Sequence, residues 1–238
     1  MSSTPSLTLY YFNGACSLAV RILLHELDLP FESVKMALDS QYRVHAADGS
    51  LSAEEYKAQI HHMGLVPALS LKFPGDGTET ATTLTEMPSI LTYLISLAPE
   101  KKSASLVGST QLDRSKTLAW LVWLSGTLHG QGYGPFFVPG RWIAGEEGAD
   151  RVKEAGRNKV ESCYESIERR LPEFGKDGRG DDEVTVVELN AYVFWRWGAN
   201  YGFEMSKYPR YGEIAKKVEG RESVRKALEE EELKGLFV

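Results

Sequence analysis

The apolar pattern of the first 36 residues changes twice, and this limits the possible folds more than any other feature of the chain. A β-rich apolar run from Leu7 to Phe12 ends at the turn signal Asn13-Gly14. Apolar residues then follow helical spacing from Cys16 to Leu27, and Phe31 to Met36 alternates again as a strand. Two strands joined through a helix form a crossover, so the pattern predicts a βαβ unit with a parallel strand pair.

A second group of strands and helices follows this unit. Helical potential is found from Ser52 to Ile60, within a polar segment. Val66 to Phe73 and Thr78 to Leu84 are predicted as two strands around the glycine-rich hairpin loop Pro74 to Gly77. Pro88 then opens a further helix near its first turn. The predicted order of this half is therefore βαβ-(α)-ββα, an α/β domain.

The remainder of the chain has helical patterns only. Pro99 to Thr110 carries Pro, Glu, Lys, Ser and Gly without apolar periodicity, which indicates a domain boundary. The predicted division is an α/β domain at residues 1–98, a linker at 99–110 and an all-α domain at 111–238. The predicted helices of the second domain are Leu112 to His129, Asp150 to Leu171, Thr185 to Asn200 and Tyr211 to Leu233.

Composition and charge exclude several classes of protein. A hydrophobic content of 42% and a charged content of 25% over 238 residues are typical of folded, water-soluble domains. The net charge of −6 argues against nucleic acid as a partner, because such binding depends on clustered Lys and Arg. No apolar run approaches the roughly 20 residues of a membrane span, and the polar start lacks the pattern of a signal peptide. We therefore expect a cytoplasmic protein with no membrane partner.

One helix start carries a specific structural signal. Thr185 and Glu188 have the spacing of a capping box, and Val184 and Leu189 can form the accompanying hydrophobic staple. This motif satisfies backbone N–H groups at the start of a helix and fixes the direction in which the chain enters it. The sequence therefore predicts a core helix that begins at Thr185.

Two charged groups are expected to face solvent. Arg21, His25 and Asp28 share one face of the first helix, opposite its apolar stripe. The acidic run from Glu229 to Glu232 is typical of a solvated helix face.

The two cysteines, Cys16 and Cys163, are expected to be free thiols. Cys163 follows a helical apolar stripe and is predicted to lie in the core. Cys16 and Ser17 stand between the first strand and the first helix, where free N–H groups and the helix dipole favour an anion. Such a position can lower a thiol pKa below its usual value of about 8.5. Cys16 is therefore a candidate reactive group, and a small buried residue is the alternative.

Two further segments have polar backbone or side-chain groups that suit a peptide ligand. Val66-Pro67 precedes a strand, and a Val66 backbone with free N–H and C=O groups could pair with an extended peptide. Glu86-Met87 opens the next helix, which offers a carboxylate for an ammonium group and a helix N-terminus for a carboxylate. A plain turn and an ordinary acidic helix start are the structural alternatives.

In their order and spacing these segments resemble the glutathione transferases over nearly the whole chain. Leu9 to Ser17 is similar to the opening strand and active-site turn of the bacterial beta class, and Gly64 to Leu69 resembles the family's cis-proline turn. Leu84 to Ile90 resembles its glutathione-binding turn, and Trp120 to His129 resembles the helix that ends in an active-site histidine. The resemblance implies a thioredoxin-like domain followed by a helical domain, in a homodimer.

The resemblance also implies roles for individual residues. Cys16 and Ser17 would lie near the glutathione sulfur as catalytic residues, and His129 would reach the same region from the second domain. Val66, beside Pro67, would pair with the cysteinyl backbone of glutathione. The γ-glutamyl end would be bound by the residues Glu86 and Met87, the latter through its N–H group.

Three positions depart from the family pattern. Gly130 replaces a lysine, Met87 replaces a small residue, and His61-His62-Met63 replaces the commoner Asn-Pro-basic run that contacts the glycyl carboxylate. The His pair has no third ligand at suitable spacing, so no metal site is predicted.

Three functions are compatible with these features. The first is conjugation of glutathione, as co-substrate, to a small electrophile. The second is glutathione-dependent reduction of disulfides through a mixed disulfide at Cys16. The third is a non-catalytic glutathione-binding or interaction module. The residues available for the electrophile pocket, which are equally consistent with a core, are Tyr133, Phe136, Phe137, Trp142 and Trp197.

Overall fold

The computed structural model describes residues 5–74, 81–143, 148–174 and 183–237. The chain forms two compact units. The first contains Met1–Ser103 together with Glu219–Val238, and the second contains Ala104–Val218. The final segment thus belongs with the first unit, whereas the sequence assigned it to the helical domain. The predicted linker at 99–110 contains a helix, Glu100–Val107.

The first unit is built on a mixed sheet of five strands in the order β3-β2-β1-β4-β5. The strands are β1 (Ser6–Tyr11), β2 (Glu32–Leu38), β3 (Val44–Ala46), β4 (Ala68–Lys72) and β5 (Thr82–Thr85). β1 pairs in parallel with β2, while β4 runs antiparallel to both β1 and β5. The helices that precede residue 100 are α1 (Leu18–Glu26), α2 (Ala53–Gln59) and α3 (Met87–Ser96).

The predicted fold class is confirmed, with one strand added. Leu9 of the central strand and Val20 and Ile22 of α1 are fully buried, as the switch from strand to helix spacing predicted. Strand β3 was not predicted because three residues are too few for an alternating pattern to stand out. The predicted loop tip at 75–77 and the start of the following strand at Thr78 lie outside the described residues.

Helices make up the regular structure described in the second unit. After α4 (Glu100–Val107), which crosses the boundary between the units, they are α5 (Gln111–Trp123), α6 (Gly134–Phe137), α7 (Ala149–Arg170), α8 (Val186–Asn200) and α9 (Pro209–Glu219). A π-helical segment, Leu124–Tyr133, continues α5. The predicted capping box is confirmed, since the Glu188 N–H donates to Thr185 Oγ1 at 3.0 Å and the Thr185 N–H donates to Glu188 Oε2 at 2.6 Å. The predicted staple partners Val184 and Leu189 are both buried.

The single helix predicted from Tyr211 to Leu233 is wrong. The structure has α9 and then α10 (Glu222–Glu230), separated at Gly220 and Arg221. Arg221 adopts an extended conformation with φ −75° and ψ 145°, so the helix cannot continue through it. Its guanidinium group instead binds the carboxylate of Glu26, with Nε donating over 2.9 Å.

The two predicted solvent-exposed groups are also wrong in part. Arg21 on α1 is only 2% exposed, and Glu231, which follows α10, is fully buried. Both are covered because α10 packs against α1. A local charge pattern cannot show this packing, because the two segments are about two hundred residues apart in the chain.

No helix in the described part of the chain combines the length and apolar character that a membrane span requires.

Candidate functional site

The turn between β1 and α1 carries the candidate catalytic residues. Gly14 adopts φ +67°, a left-handed conformation that costs a glycine little, and the chain then makes a tight turn in which the Ala15 N–H donates to Phe12 O at 3.2 Å. Regular helix begins at Leu18. Cys16 and Ser17 therefore lie in the turn that leads into α1, close to the helix start where they were predicted.

Cys16 is buried, and its thiol donates to the Val66 carbonyl oxygen across 3.6 Å. The expected lowering of its pKa is wrong. Burial raises the pKa of Cys16 to about 12, and the negative charges of Glu86 and Glu231 add to this effect. Hydrogen bonds from the N–H groups of Ser17 and Cys16 act in the opposite direction but are outweighed. The thiol is therefore protonated at neutral pH.

Ser17 is fully buried, and its hydroxyl donates to the Phe12 carbonyl oxygen at 3.2 Å. In this arrangement the hydroxyl links the two ends of the turn. Its neighbour Tyr11 is buried beneath the Arg21 guanidinium, whose carbon lies 4.1 Å from the ring centroid. Tyr11 is therefore a core aromatic residue at the end of β1.

The Val66–Pro67 peptide bond is cis, and β4 begins at the next residue. Val66 is partly exposed, and within the described chain its N–H has no hydrogen-bond partner. Its carbonyl accepts the Cys16 thiol. This edge can accept one more extended strand, since a carbonyl oxygen has two lone pairs and the N–H is available.

Glu86 precedes α3 with φ +69° and ψ 119°, a conformation that non-glycine residues rarely adopt. Such strain, of order 1–3 kcal/mol, is found most often at functional sites. The Glu86 carboxylate is exposed and makes no hydrogen bond or ion pair within the described chain. The N–H of Met87, the first residue of α3, likewise has no hydrogen-bond partner within the described chain, although the Met87 side chain is buried. A carboxylate and a free helix N-terminus are thus adjacent.

The unusual segment His61-His62-Met63 lies in the same unit. His61 is buried, its Nδ1 accepts the Met63 N–H at 3.2 Å, and its ring stacks on that of His62 with centroids 5.6 Å apart. Burial and the neighbouring His62 lower the pKa of His61, while Glu86 opposes them. Among the residues described, no three His, Cys, Asp or Glu side chains gather in a way that could hold a metal ion.

His129 belongs to the second unit and lies in the π-helical segment. Its ring packs edge-on against Trp197, with centroids 5.1 Å apart, and against Phe194 at 6.0 Å. Burial lowers the pKa of His129 to about 4, so the imidazole is neutral at physiological pH. Leu118 and Val122, which would share a face with His129 if α5 continued as a regular α-helix, are exposed. The change from α to π geometry at Leu124 shifts the residues that follow to a different face.

A cavity of about 410 Å³ lies beside His129 within the second unit. Two of the predicted pocket aromatics, Phe137 and Trp142, line it and are partly exposed. The other three are buried and therefore belong to the core: Tyr133, Phe136 and Trp197. Val138 and Arg141 complete much of the wall, so the cavity is mainly apolar with one cation. Cys163, also in this unit, is a buried core thiol as predicted.

Two known proteins are similar to this chain over nearly its whole length. A glutathione S-transferase GstA from Escherichia coli O157:H7 is 27% identical over 228 residues, which is 95% of this chain and 99% of that protein. The beta-class glutathione S-transferase structure from Sphingomonas chungbukensis is 27% identical, with a TM-score of 0.71 over 95% of this chain and 100% of that one. In sequence and in fold, the chain is therefore similar to the glutathione S-transferases over nearly its whole length. The predicted similarity to the bacterial beta class is confirmed.

A further structure, of a sphingomonad glutathione S-transferase, is described as a complex with glutathione. It is 29% identical to the present chain, with a TM-score of 0.71. The match covers 95% of this chain and 100% of that structure. No model of a protein family matches the sequence.

The sequence pattern did not indicate one group of residues near the candidate site. Asn13 and Gly14 of the turn bind Glu231, which is more than two hundred residues later in the chain. The turn signal Asn13-Gly14 and the acidic run were each visible, but nothing in the sequence joins them. The packing of α10 on α1 brings these residues together.

Proposed function

We propose that this chain conjugates glutathione to small electrophilic substrates. The observation that carries the proposal is a group of available polar atoms in the unit that holds Cys16. These atoms are the Val66 N–H, the Glu86 carboxylate and the Met87 N–H, none of which has a hydrogen-bond partner within the described chain. Together they match an extended peptide with a zwitterionic end, which is the chemistry of glutathione.

Each part of glutathione has a partner in this proposal. Its cysteinyl backbone pairs with Val66 as an added strand. Its γ-glutamyl ammonium group binds the Glu86 carboxylate, and its γ-glutamyl carboxylate accepts from the Met87 N–H at the positive end of α3. The glutathione sulfur then lies near Cys16, whose thiol is already directed at Val66.

The state of Cys16 favours conjugation over disulfide reduction. Reduction requires the Cys16 sulfur to attack as a thiolate, but its pKa of about 12 keeps it protonated. In conjugation the attacking sulfur belongs to glutathione. The protonated Cys16 thiol can then donate a hydrogen bond to the glutathione thiolate, which lowers the pKa of glutathione. Each pKa unit of lowering corresponds to about 1.4 kcal/mol of preferential binding of the thiolate.

The second unit supplies a place for the electrophile in this proposal. The cavity beside His129 presents Phe137, Val138 and Trp142 to an apolar substrate. His129 is neutral there, so it can act as a hydrogen-bond donor or acceptor without adding charge. The attack forms a carbon–sulfur bond and expels the leaving group of the electrophile with its electron pair.

We also propose that the protein acts as a homodimer in the cytoplasm and serves detoxification. These points are supported by the likeness to bacterial glutathione transferases.

The deciding experiment compares two activities in one set of variants. Steady-state rates are measured with a chlorodinitrobenzene-type electrophile and with a hydroxyethyl-disulfide substrate, both with glutathione. We expect wild-type conjugation to exceed disulfide reduction. Cys16→Ala should keep substantial conjugation and lose the reductase activity, because no other residue of the turn can form a mixed disulfide.

Cys163→Ala is the matched control, since Cys163 is the second free buried thiol and lies in the other unit. It should change neither rate. Disulfide reduction that exceeds conjugation in the wild type and is lost in Cys16→Ala, with glutathione affinity intact, would show that the chain is a glutathione-dependent thiol–disulfide reductase. Glutathione binding without either activity in the wild-type protein would indicate a non-catalytic binding module.

A further inference from the structure

The C-terminal segment after α10 is attached directly to the turn that carries Cys16. Glu231 Oε2 accepts the Gly14 N–H at 2.7 Å, and the Glu231 main-chain oxygen accepts Asn13 Nδ2 at 2.8 Å. The side chain of Leu233 also faces Gly14, 3.7 Å from where a Cβ atom would stand. Three contacts from one short segment thus converge on two consecutive residues of the turn.

The carboxylate of Glu231 is buried but not isolated. Arg21 Nε donates to its other oxygen at 3.0 Å, and Arg21 Nη1 donates to Glu230 at 2.6 Å. Arg21 is 2% exposed and Glu231 is fully buried, so the hydrogen bond between them lies out of water, whereas Glu230 is partly exposed. A buried carboxylate needs such partners, and once it has them its bond to a backbone N–H is stronger than a neutral one.

The same helix has a second attachment that does not involve the turn. Glu26, at the C-terminal end of α1, binds Ser223 of α10 and Arg221 just before it. This cluster already holds α10 against α1, so docking of the helix does not require a bond to Gly14. The Glu231 contacts are therefore best explained by what they do for the turn.

We propose that Glu231 is a positioning residue that fixes the Asn13-Gly14 turn and, through it, the placement of Cys16 and Ser17 for glutathione. Arg21 supports it by neutralising its charge. The expected effect on glutathione binding rests on the proposed function. The expected effect on the conformation of the turn is independent of it.

The test uses the full chain and compares two buried glutamates. Glu231→Gln removes the charge that binds Gly14, while Arg21 keeps Glu230 as a partner. Glu26→Gln weakens the other attachment of α10, away from the turn, and is the matched control. Amide hydrogen exchange at Gly14, glutathione affinity by calorimetry and the melting temperature are measured for both variants.

We expect Glu231→Gln to speed exchange at Gly14 and to weaken glutathione binding, each by about tenfold, the scale of one charge-assisted hydrogen bond. Glu26→Gln should lower the melting temperature but leave Gly14 exchange and glutathione affinity near wild type. Equal effects of both variants on exchange and affinity would overturn the proposal in favour of general docking of α10. A lower melting temperature with unchanged exchange and affinity in Glu231→Gln would overturn it as well.

Two further arms keep the result decisive. If Glu231→Gln does not fold, Glu231→Asp replaces it. The shorter side chain keeps the negative charge near Arg21 but withdraws it from the Gly14 N–H. Unchanged hydrogen exchange at Gly14 in this variant would overturn the proposal. If the wild-type protein does not bind glutathione, the proposed function fails, and Gly14 exchange alone decides whether Glu231 positions the turn.

Discussion

Glu26 offers a quantitative test of how the C-terminal segment is attached to the first unit. Its side chain is 5% exposed and accepts hydrogen bonds from Lys102, Arg221 and Ser223. Burial alone would raise its pKa, but these hydrogen bonds outweigh burial and lower the pKa of Glu26 to about 2. The charged form is therefore strongly favoured in the folded protein.

This pKa can be converted into stability. The ordinary value is 4.5, and one pKa unit corresponds to about 1.4 kcal/mol, so the full difference corresponds to about 3.5 kcal/mol of folding free energy. Lys102 and Arg221 are 36% and 27% exposed, and solvent screens such partners, so we expect about 2 kcal/mol. Because the folded pKa lies below the unfolded one, this contribution is present above about pH 4.5 and is lost as the pH falls toward about 2.

The assay is urea unfolding of the wild type and of Glu26→Gln at pH 7 and at about pH 3. The wild type should be more stable by about 2 kcal/mol at pH 7 and by less than about 1 kcal/mol at pH 3. Glu229→Gln, on the exposed face of α10, is the control and should match the wild type at both pH values. A stability difference that does not shrink in acid would refute the assignment of this stabilisation to the ionised Glu26.

Three further outcomes are expected. Glu86→Ala should weaken glutathione binding by about 1.5–3 kcal/mol in calorimetry, the scale of a charge-assisted hydrogen bond, and unchanged affinity in the folded variant would remove Glu86 from the site. Thr185→Ala should lower unfolding stability by about 0.5–2 kcal/mol and leave glutathione affinity intact; an affinity loss without a fall in melting temperature would contradict its capping role. His129→Gln should leave the shape of the conjugation pH profile between pH 5 and 8 unchanged, because the pKa of His129 is about 4; a lost limb in that range would show that His129 titrates there.

Most of the fold could be predicted because its elements are encoded locally. The capping box at Thr185 and Glu188 is a four-residue pattern, and its hydrogen bonds form within that pattern. The structure contains two further capping boxes of the same local kind, Ser52 with Glu55 and Thr110 with Asp113, which the sequence analysis did not predict. The π-helical geometry after Trp123 was not predictable in this way, since the spacing of its apolar residues also fits an α-helix.

The candidate site was predictable in position but not in electrostatics. A cysteine before a helix start favours a thiolate when it faces solvent, and the sequence shows the position but not the burial. In the folded unit Cys16 is buried and has Glu86 and Glu231 as negative neighbours, so desolvation and charge both favour the neutral thiol. Burial is the larger of these two effects, and the negative charges that add to it lie 70 and 215 positions away in the chain.

The same separation explains why the acidic run was misassigned. Glu229 to Glu232 follow one another, yet only Glu231 is buried, because only it turns toward Arg21 and Gly14 where α10 ends. The burial of this carboxylate would be unfavourable without both partners, and Arg21 in turn would be an unpaired buried cation without Glu231 and Glu230. The network is stable only when α1, the turn and α10 are assembled together. Loss of the network should therefore first increase hydrogen exchange at Gly14, because the Gly14 N–H donates to Glu231.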